Sequence, residues 1–517
     1  MRNEVSHSSI EIGRHSGLYR LLLSTFTVLG LFFTSGCASN PAASFSSIQD
    51  FNSQVLKWSS CEEDFECAHL LVPIDYTNFE IGSFKIALLR YKAQDKQKRI
   101  GSLVLNPGGP GGSGIDYALS APYLFDAEIL DSFDIVGFDP RGVGKSAAIR
   151  CLNDAETDEN YAEDSKPDNE EEFVAQMQSA KDFAAKCTER NKFLTHFSSA
   201  ETARDMDILR AALGDKKLNY VGKSYGTYLG TLYAQFFPGK VGRMILDGAI
   251  DPNVPVLEQN ISQAVGFETA LSAFLKNCAT LPDCPLPKDE IQARDALTSL
   301  FEKAAVNPLP MKNSDKRVAT ESLIVLGTAS ALYEDTYGWK QLRKAIAQAK
   351  EGSGDLFIGL ADMYADRGPD GRYISNQLDS GAVIDCLDWH DMRSDEELQA
   401  DAALFKERAP LFGPYLAYTG MTCKYMPQPK PDSLTRKTNK IKSIVTTPII
   451  VVGTLRDPAT PYQWAVGLQK IFKNSVLITL DADGHTGEGR GSKCVDQATN
   501  KYLLTGITPQ ENLSCTL

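Results

Sequence analysis

Short apolar runs punctuate the chain, and longer stretches of helical spacing separate them. The runs that predict strands are 84–91 (FKIALLRY), 100–106 (IGSLVLN), 133–139 (FDIVGFD), 218–224 (LNYVGKS), 242–248 (GRMILDG), 447–453 (TPIIVVG) and 475–481 (SVLITLD). Strand-like runs alternating with helical ones predict an α/β fold, a mostly parallel sheet flanked by helices. Between the fifth and sixth runs lie about two hundred residues with no comparable strand, where Ile261, Val265, Leu271, Phe274 and Leu275 follow helical spacing instead. This predicts a large inserted helical domain, and a core that is discontinuous in sequence. The expected division is 37–252 and 441–517 for the core, 253–440 for the insertion, and 1–36 for a leader.

The leader has its own pattern. Arg14 and Arg20 precede an apolar run at 21–33, then Thr34, Ser35, Gly36 and Cys37, as in an export signal. The run is short for a permanent bilayer span. Ser-Gly-Cys at its end resembles the lipobox of bacterial lipoproteins, so Cys37 is the expected lipidation site, although Thr34 stands where Leu is usual. The expected location is outside the cytoplasm, as a lipid-anchored protein of a bacterial cell envelope or a secreted one. Eleven cysteines less Cys37 leave ten, an even number that suits an oxidising compartment. Spacing suggests Cys61 with Cys67, Cys151 with Cys187, Cys278 with Cys284, Cys386 with Cys423, and Cys494 with Cys515, without fixing that connectivity. No CxxC is present and no His stands at ligand spacing from a Cys pair, so no metal is expected.

Charge narrows the partners. With 53 basic and 66 acidic residues the net charge is −13, which argues against nucleic acid. The acidic stretch 154–172 reads as a solvated surface loop or helix.

Three loops at strand ends carry candidate chemistry. Gly222-Lys223-Ser224-Tyr225-Gly226 fits Gly-x-Ser-x-Gly between a strand and a helix-forming run, the setting of a nucleophile elbow. Glycines there let the turn tighten and project the Ser224 hydroxyl. The loop NPGGPGGSG at 106–114 offers backbone N–H groups for an oxyanion; Gly108 and Gly109 are its candidates, together with the N–H of Tyr225. The third loop, DPRGVGKS at 139–146, imitates the end of a phosphate loop but has Asp139 where the first glycine should be, so it reads as a structural turn organised by Arg141. Lys223 is expected to point to solvent.

A serine nucleophile needs a base and an orienting acid. Among six histidines, His485 follows the last strand between Gly484 and Gly487; His69, His196 and His390 sit elsewhere and read as structural. Asp457, after the preceding strand, completes the chain order Ser, Asp, His, with Asp481, Asp483, Asp247 and Asp251 as rivals. Asp481 and Asp483 fail as a calcium loop, since Thr486 and Ser492 occupy the sixth and twelfth positions.

The segments CAHLLVPIDY, GSLVLNPGGPGGSG, FDIVGFDPRGVGKS, AVIDCLDW, the elbow with its flanks, and the closing DPATP and GH motifs together resemble the secreted tripeptidyl aminopeptidases of the α/β-hydrolase fold, relatives of proline iminopeptidase. The resemblance runs from about Ser60 to Cys515 and implies a catalytic set of Ser224, Asp457 and His485. It also implies a peptide substrate with a free amino end, no cofactor, and an insertion that acts as a lid and supplies acidic groups for the ammonium. Glu258 and Glu268 are candidates, though each reads more simply as a solvated helix residue. The iminopeptidase relatives carry His where this chain has Pro107. Two other functions fit the pattern less closely: an envelope carboxylesterase, amidase or endoprotease on the same scaffold, and a catalytically silent binding protein.

Overall fold

In the computed structural model, residues 45–312, 316–389, 393–428, 441–442 and 444–517 are described. The leader, Cys37 and His390 therefore lie outside the described residues.

Among the described residues the core is one ten-stranded sheet. Its strands are β1 (Ser59–Glu62), β2 (Phe65–Pro73), β3 (Ser83–Tyr91), β4 (Gly101–Asn106), β5 (Phe133–Phe138), β6 (Leu218–Lys223), β7 (Val241–Asp247), β8 (Ile449–Arg456), β9 (Ser475–Asp483) and β10 (Leu513–Thr516). In space they run β1-β2-β3-β5-β4-β6-β7-β8-β9-β10. From β5 to β10 every neighbouring pair is parallel, whereas β1, β2 and β3 join as an antiparallel ribbon at one edge. All seven predicted strands are present; β1, β2 and β10 are additions. Every residue of β4 and β5 is buried, as a sheet covered on both faces requires.

Side chains alternate between the two covered faces. Val104, Tyr220, Met244, Leu246, Ile449 and Val451 belong to one core, which the helices Ser199–Ala212, Tyr225–Phe236 and Tyr462–Ile471 complete. Leu103, Leu105, Val221, Ile245, Ile450 and Val452 belong to the other, under the helices Gly114–Leu119 and Lys493–Thr505. Between β7 and β8 the chain is mainly helical, beginning with Val256–Ala279, and it has its own core of Phe274, Leu297, Phe301, Ile324, Leu342, Ile346 and Phe357.

The cysteines join as Cys61–Cys67, Cys151–Cys187, Cys278–Cys284, Cys386–Cys423 and Cys494–Cys515. The acidic stretch is only partly solvated. It forms the helix Asp154–Ala162, and Asp158 pairs with Arg367 from the long helical segment at 2.7 Å.

The DPRGVGKS turn is structural. Arg141 is fully buried, its guanidinium gripping Asp205 at 2.6 and 2.7 Å while donating to the carbonyls of His196 and Pro73. Asn376 of the helical segment fills the same turn, accepting from the Gly144 N–H and donating to the Gly142 and Ile149 carbonyls. Removing one partner of a buried ion pair leaves the other charge uncompensated. Arg141→Leu should therefore destabilise the fold by about 3–5 kcal/mol, measured as a fall in the urea midpoint.

Candidate active site

Ser224 stands between β6 and the helix Tyr225–Phe236 with φ 54° and ψ −125°, a backbone conformation that L-residues rarely adopt. Its N–H donates to the Asp247 carbonyl at 2.8 Å, which ties the turn to the end of β7. The glycines make the turn possible by close approach. A Cβ on Gly222 would stand 2.4 Å from the Gly226 carbonyl oxygen, and one on Gly226 would stand 2.8 Å from that of Asn106. The helix that starts at Tyr225 directs unpaired N–H groups and the positive end of its dipole toward the serine.

The glycine loop after β4 presses onto this turn. Gly108 has φ +97°, and a Cβ there would lie 2.5 Å from the Lys223 carbonyl oxygen and 2.9 Å from the Tyr225 nitrogen. Gly108 does not offer its own N–H to a ligand, however, because that group donates to Asn106 Oδ1 at 3.0 Å. Its part is steric. Gly109, which lines the cavity above Ser224, is the remaining candidate in this loop beside the Tyr225 N–H. The Tyr225 ring itself is buried, with its hydroxyl donating to Asp388 at 3.1 Å and the ring packed nearly perpendicular to Trp389.

His485 and Asp457 meet. The imidazole Nδ1 lies 2.9 Å from both Asp457 carboxylate oxygens, and the imidazole carbon Cε1 comes within 3.3 Å of where a Cβ on Gly248 would stand, next to Asp247. Asp457 is buried and also accepts from the Ala459, Thr460 and Thr486 N–H groups and the Thr460 hydroxyl. Burial alone would raise its pKa; the charge and hydrogen bond of His485, with the backbone donors, outweigh burial and hold it below the usual 3.8. The Tyr333 ring packs nearly perpendicular to the imidazole with centroids 5.2 Å apart, and the Tyr333 carbonyl accepts the His485 backbone N–H at 2.9 Å.

The rival acids are engaged elsewhere. Asp481 and Asp483 pair with Arg456 at 2.8 and 2.5 Å. Asp247 accepts the Gly487 and Glu488 N–H groups, and Asp251 accepts the Asn253 N–H. His196 is buried beside Glu201, whereas His69 is exposed on β2.

Two expectations change, for Lys223 and Glu268, and that for Glu258 holds. Lys223 does not reach solvent: only 14% of its side chain is exposed, and its ammonium lies 2.9 Å from the Glu488 carboxylate and 2.7 Å from the Glu488 carbonyl. Glu268 is buried, held by Arg294 and by the N–H groups of Leu411 and Phe412. Glu258 remains at the surface but is paired with Arg408 at 3.1 Å.

A cavity of about 580 Å³ opens over Ser224. Its walls include Tyr333, Phe412 and Tyr415 from the long helical segment, Trp464 from the core, and Glu163 and Asp385. Neither carboxylate was singled out from the sequence. Glu163 lies in the acidic stretch that reads as surface, and Asp385 is one aspartate among several on the helix Gln377–Asp388.

A family model for the alpha/beta hydrolase fold matches residues 101–487. The chain is 36% identical over 484 residues to serine protease Hip1 of Mycobacterium tuberculosis, covering 89% of this chain and 91% of that protein. It is 37% identical over 487 residues to carboxylesterase B of the same organism, covering 89% of each. It is also 30% identical over 477 residues to a tripeptidyl aminopeptidase of Streptomyces lividans, covering 89% of this chain and 86% of that one.

The lowered pKa of Asp457 has a definite sign in stability. A depressed carboxyl stabilises the fold above its unfolded value of 3.8, and the contribution disappears as pH falls through the lower folded value. Asp457→Asn should therefore be less stable than the parent at neutral pH, with the gap narrowing below about pH 4, as urea unfolding across that range will report.

Proposed function

The chain belongs to the α/β-hydrolase fold family and is a serine hydrolase, and from that premise we propose that it is an exported peptidase releasing short, tripeptide-like pieces from free amino ends. Ser224 Oγ attacks the scissile carbonyl while His485 takes its proton. Asp457 holds the ring and stabilises its charged form, and His485 then returns the proton to the leaving amine. The tetrahedral oxyanion is received by the N–H groups of Tyr225 and Gly109. Water repeats the sequence on the acyl-enzyme and frees Ser224. No cofactor enters this scheme.

The observation that carries the choice of substrate is the charge of the cavity. Glu163 and Asp385 line it, and none of its described lining residues is Lys or Arg. Such a cavity favours an ammonium over a carboxylate. The helical insertion, 253–440, acts as a lid that limits how far a chain can extend beyond the scissile bond, and its Tyr333, Phe412 and Tyr415 offer apolar wall to peptide side chains. Five disulfides support an oxidising location outside the cytoplasm. With the leader pattern, they support a lipid anchor at Cys37 or secretion after signal cleavage. No helix among the described residues is long and apolar enough to cross a membrane.

A second reading, a carboxylesterase, is favoured by the similarity to carboxylesterase B. The two part on one comparison of purified enzyme against amino-free tripeptidyl amides, their N-acetylated forms and short acyl esters. Amino-free peptides are expected to be cleaved at least about tenfold faster in kcat/KM than acetylated ones, a difference worth about 1.4 kcal/mol. Equal or reversed preference overturns the aminopeptidase, and esters far outrunning every peptide would favour the esterase. Ser224→Ala should lower turnover of any of these substrates by about 10³-fold or more.

A further inference from the structure

Lys223 is a buried cation one residue before the nucleophile, and the reaction scheme gives it no task. It closes β6, and its ammonium meets groups from three other segments. Glu488, three residues after His485, receives it through both its carboxylate, at 2.9 Å, and its carbonyl, at 2.7 Å. Asp247, which closes β7 and is wholly buried, stands 3.9 Å away. The ring of Tyr117 lies 5.8 Å from it.

Asp247 binds this group together. Its carboxylate accepts the N–H of Gly487 at 2.8 Å and of Glu488 at 2.9 Å, and its carbonyl accepts the N–H of Ser224 at 2.8 Å. A single residue thus contacts the serine turn through its backbone and the histidine loop through its side chain. Lys223 repeats that bridge from the other side, since it belongs covalently to the serine turn and is bonded to the histidine loop. Burial opposes the lysine charge, but Glu488 first, then Tyr117 and Asp247, outweigh it and keep the ammonium protonated.

We propose that Lys223 and Glu488 are positioning residues: their ion pair, seated on Asp247, fixes the loop carrying His485 relative to the turn carrying Ser224. Nucleophile and base come from segments more than two hundred and fifty residues apart, and proton transfer demands that they meet within hydrogen-bond reach. A misplacement of about 1 Å can cost about 10²-fold in rate. Buried ion pairs are weak sources of net stability, and in some proteins buried polar groups serve to select one arrangement. Neither residue is among those lining the cavity over Ser224, so the pair's influence is expected on the chemical step and not on binding.

The inference rests on Ser224 and His485 as the reacting pair, and the test separates the two claims. The full chain is treated with a fluorophosphonate probe, and kcat and KM are measured with a short p-nitrophenyl ester, which is indifferent to any peptide preference. Labelling that persists in Ser224→Ala overturns the nucleophile assignment, whatever Lys223 does. Lys223→Met is expected to slow labelling and lower kcat by about 10- to 100-fold while KM stays within about twofold. Glu488→Gln keeps the carbonyl acceptor and nearly the shape, so it remains informative where Lys223→Met fails to fold; a kcat loss of about 3- to 10-fold is expected for it. The double variant Lys223→Met with Glu488→Gln removes the stranded charge. Recovery of the melting temperature with labelling still slow supports a positioning role. Labelling that recovers in step with melting temperature, a loss confined to KM, or wild-type rates in a folded single variant each overturns it.

Discussion

The backbone of one residue governs the site. Ser224 is held at φ 54° and ψ −125°, a conformation that costs about 1–3 kcal/mol and persists only where its surroundings fix it. Its N–H is bonded to Asp247, and the turn is closed by approaches that tolerate no side chain at Gly222 or Gly226. Gly108 then lies so close to the turn that the loop after β4 cannot shift without moving Tyr225. The serine hydroxyl and the two N–H groups proposed for an oxyanion are consequently parts of one packed unit. Strain at Ser224 is sustained by neighbours on three strands and not by the turn alone.

Parallel pairing explains why these parts meet. In β4, β6, β7, β8 and β9 every strand points the same way, so the glycine loop, Ser224, Asp247, Asp457 and His485 all emerge at one edge of the sheet. The long helical segment leaves from β7 and returns to β8. Those two strands are neighbours, so an insertion there leaves the sheet's register intact. It also brings Tyr333 against His485, where it supplies a ring packed nearly perpendicular to the imidazole and a backbone acceptor.

What could be read from sequence follows from what burial does to composition. Strands buried on both faces are nearly continuous apolar runs, which makes β4 to β8 legible, while β3 and β9, though partly exposed, keep apolar runs at their centres. By contrast, β1 is exposed at every residue and β10 has only four, so neither carries such a run, and β2 shares its burial with solvent on one side. Charged residues were the weak point. Lys223, Glu268 and Asp158 all read as surface because isolated charges usually are. Each is instead held by a partner distant in the chain, Glu488, Arg294 and Arg367 respectively. No local pattern encodes such a pairing. The engaged N–H of Gly108 was hidden for a similar reason, since a run of glycines says that amides are accessible but not which one a neighbouring asparagine takes.

The loop after β9 shows how the site keeps an irregular segment in place. Thr486, a β-branched residue, has φ 66°, where such residues are outliers. Strand pairing does not hold the loop at that point; carboxylates from β7 and from the end of β8 do. Asp457 accepts the N–H of Thr486 while holding His485, and Asp247 accepts the next two amides along. Three successive N–H groups are thus turned onto two buried anions, which resembles the way a concave run of amides cradles an anionic ligand. Here the anions belong to the protein and the loop is what they position. Asp457 therefore orients the imidazole twice, once through the ring and once through the backbone beside it. The acid and the loop geometry form one structural element, and the contribution of either to the chemistry includes that of the other.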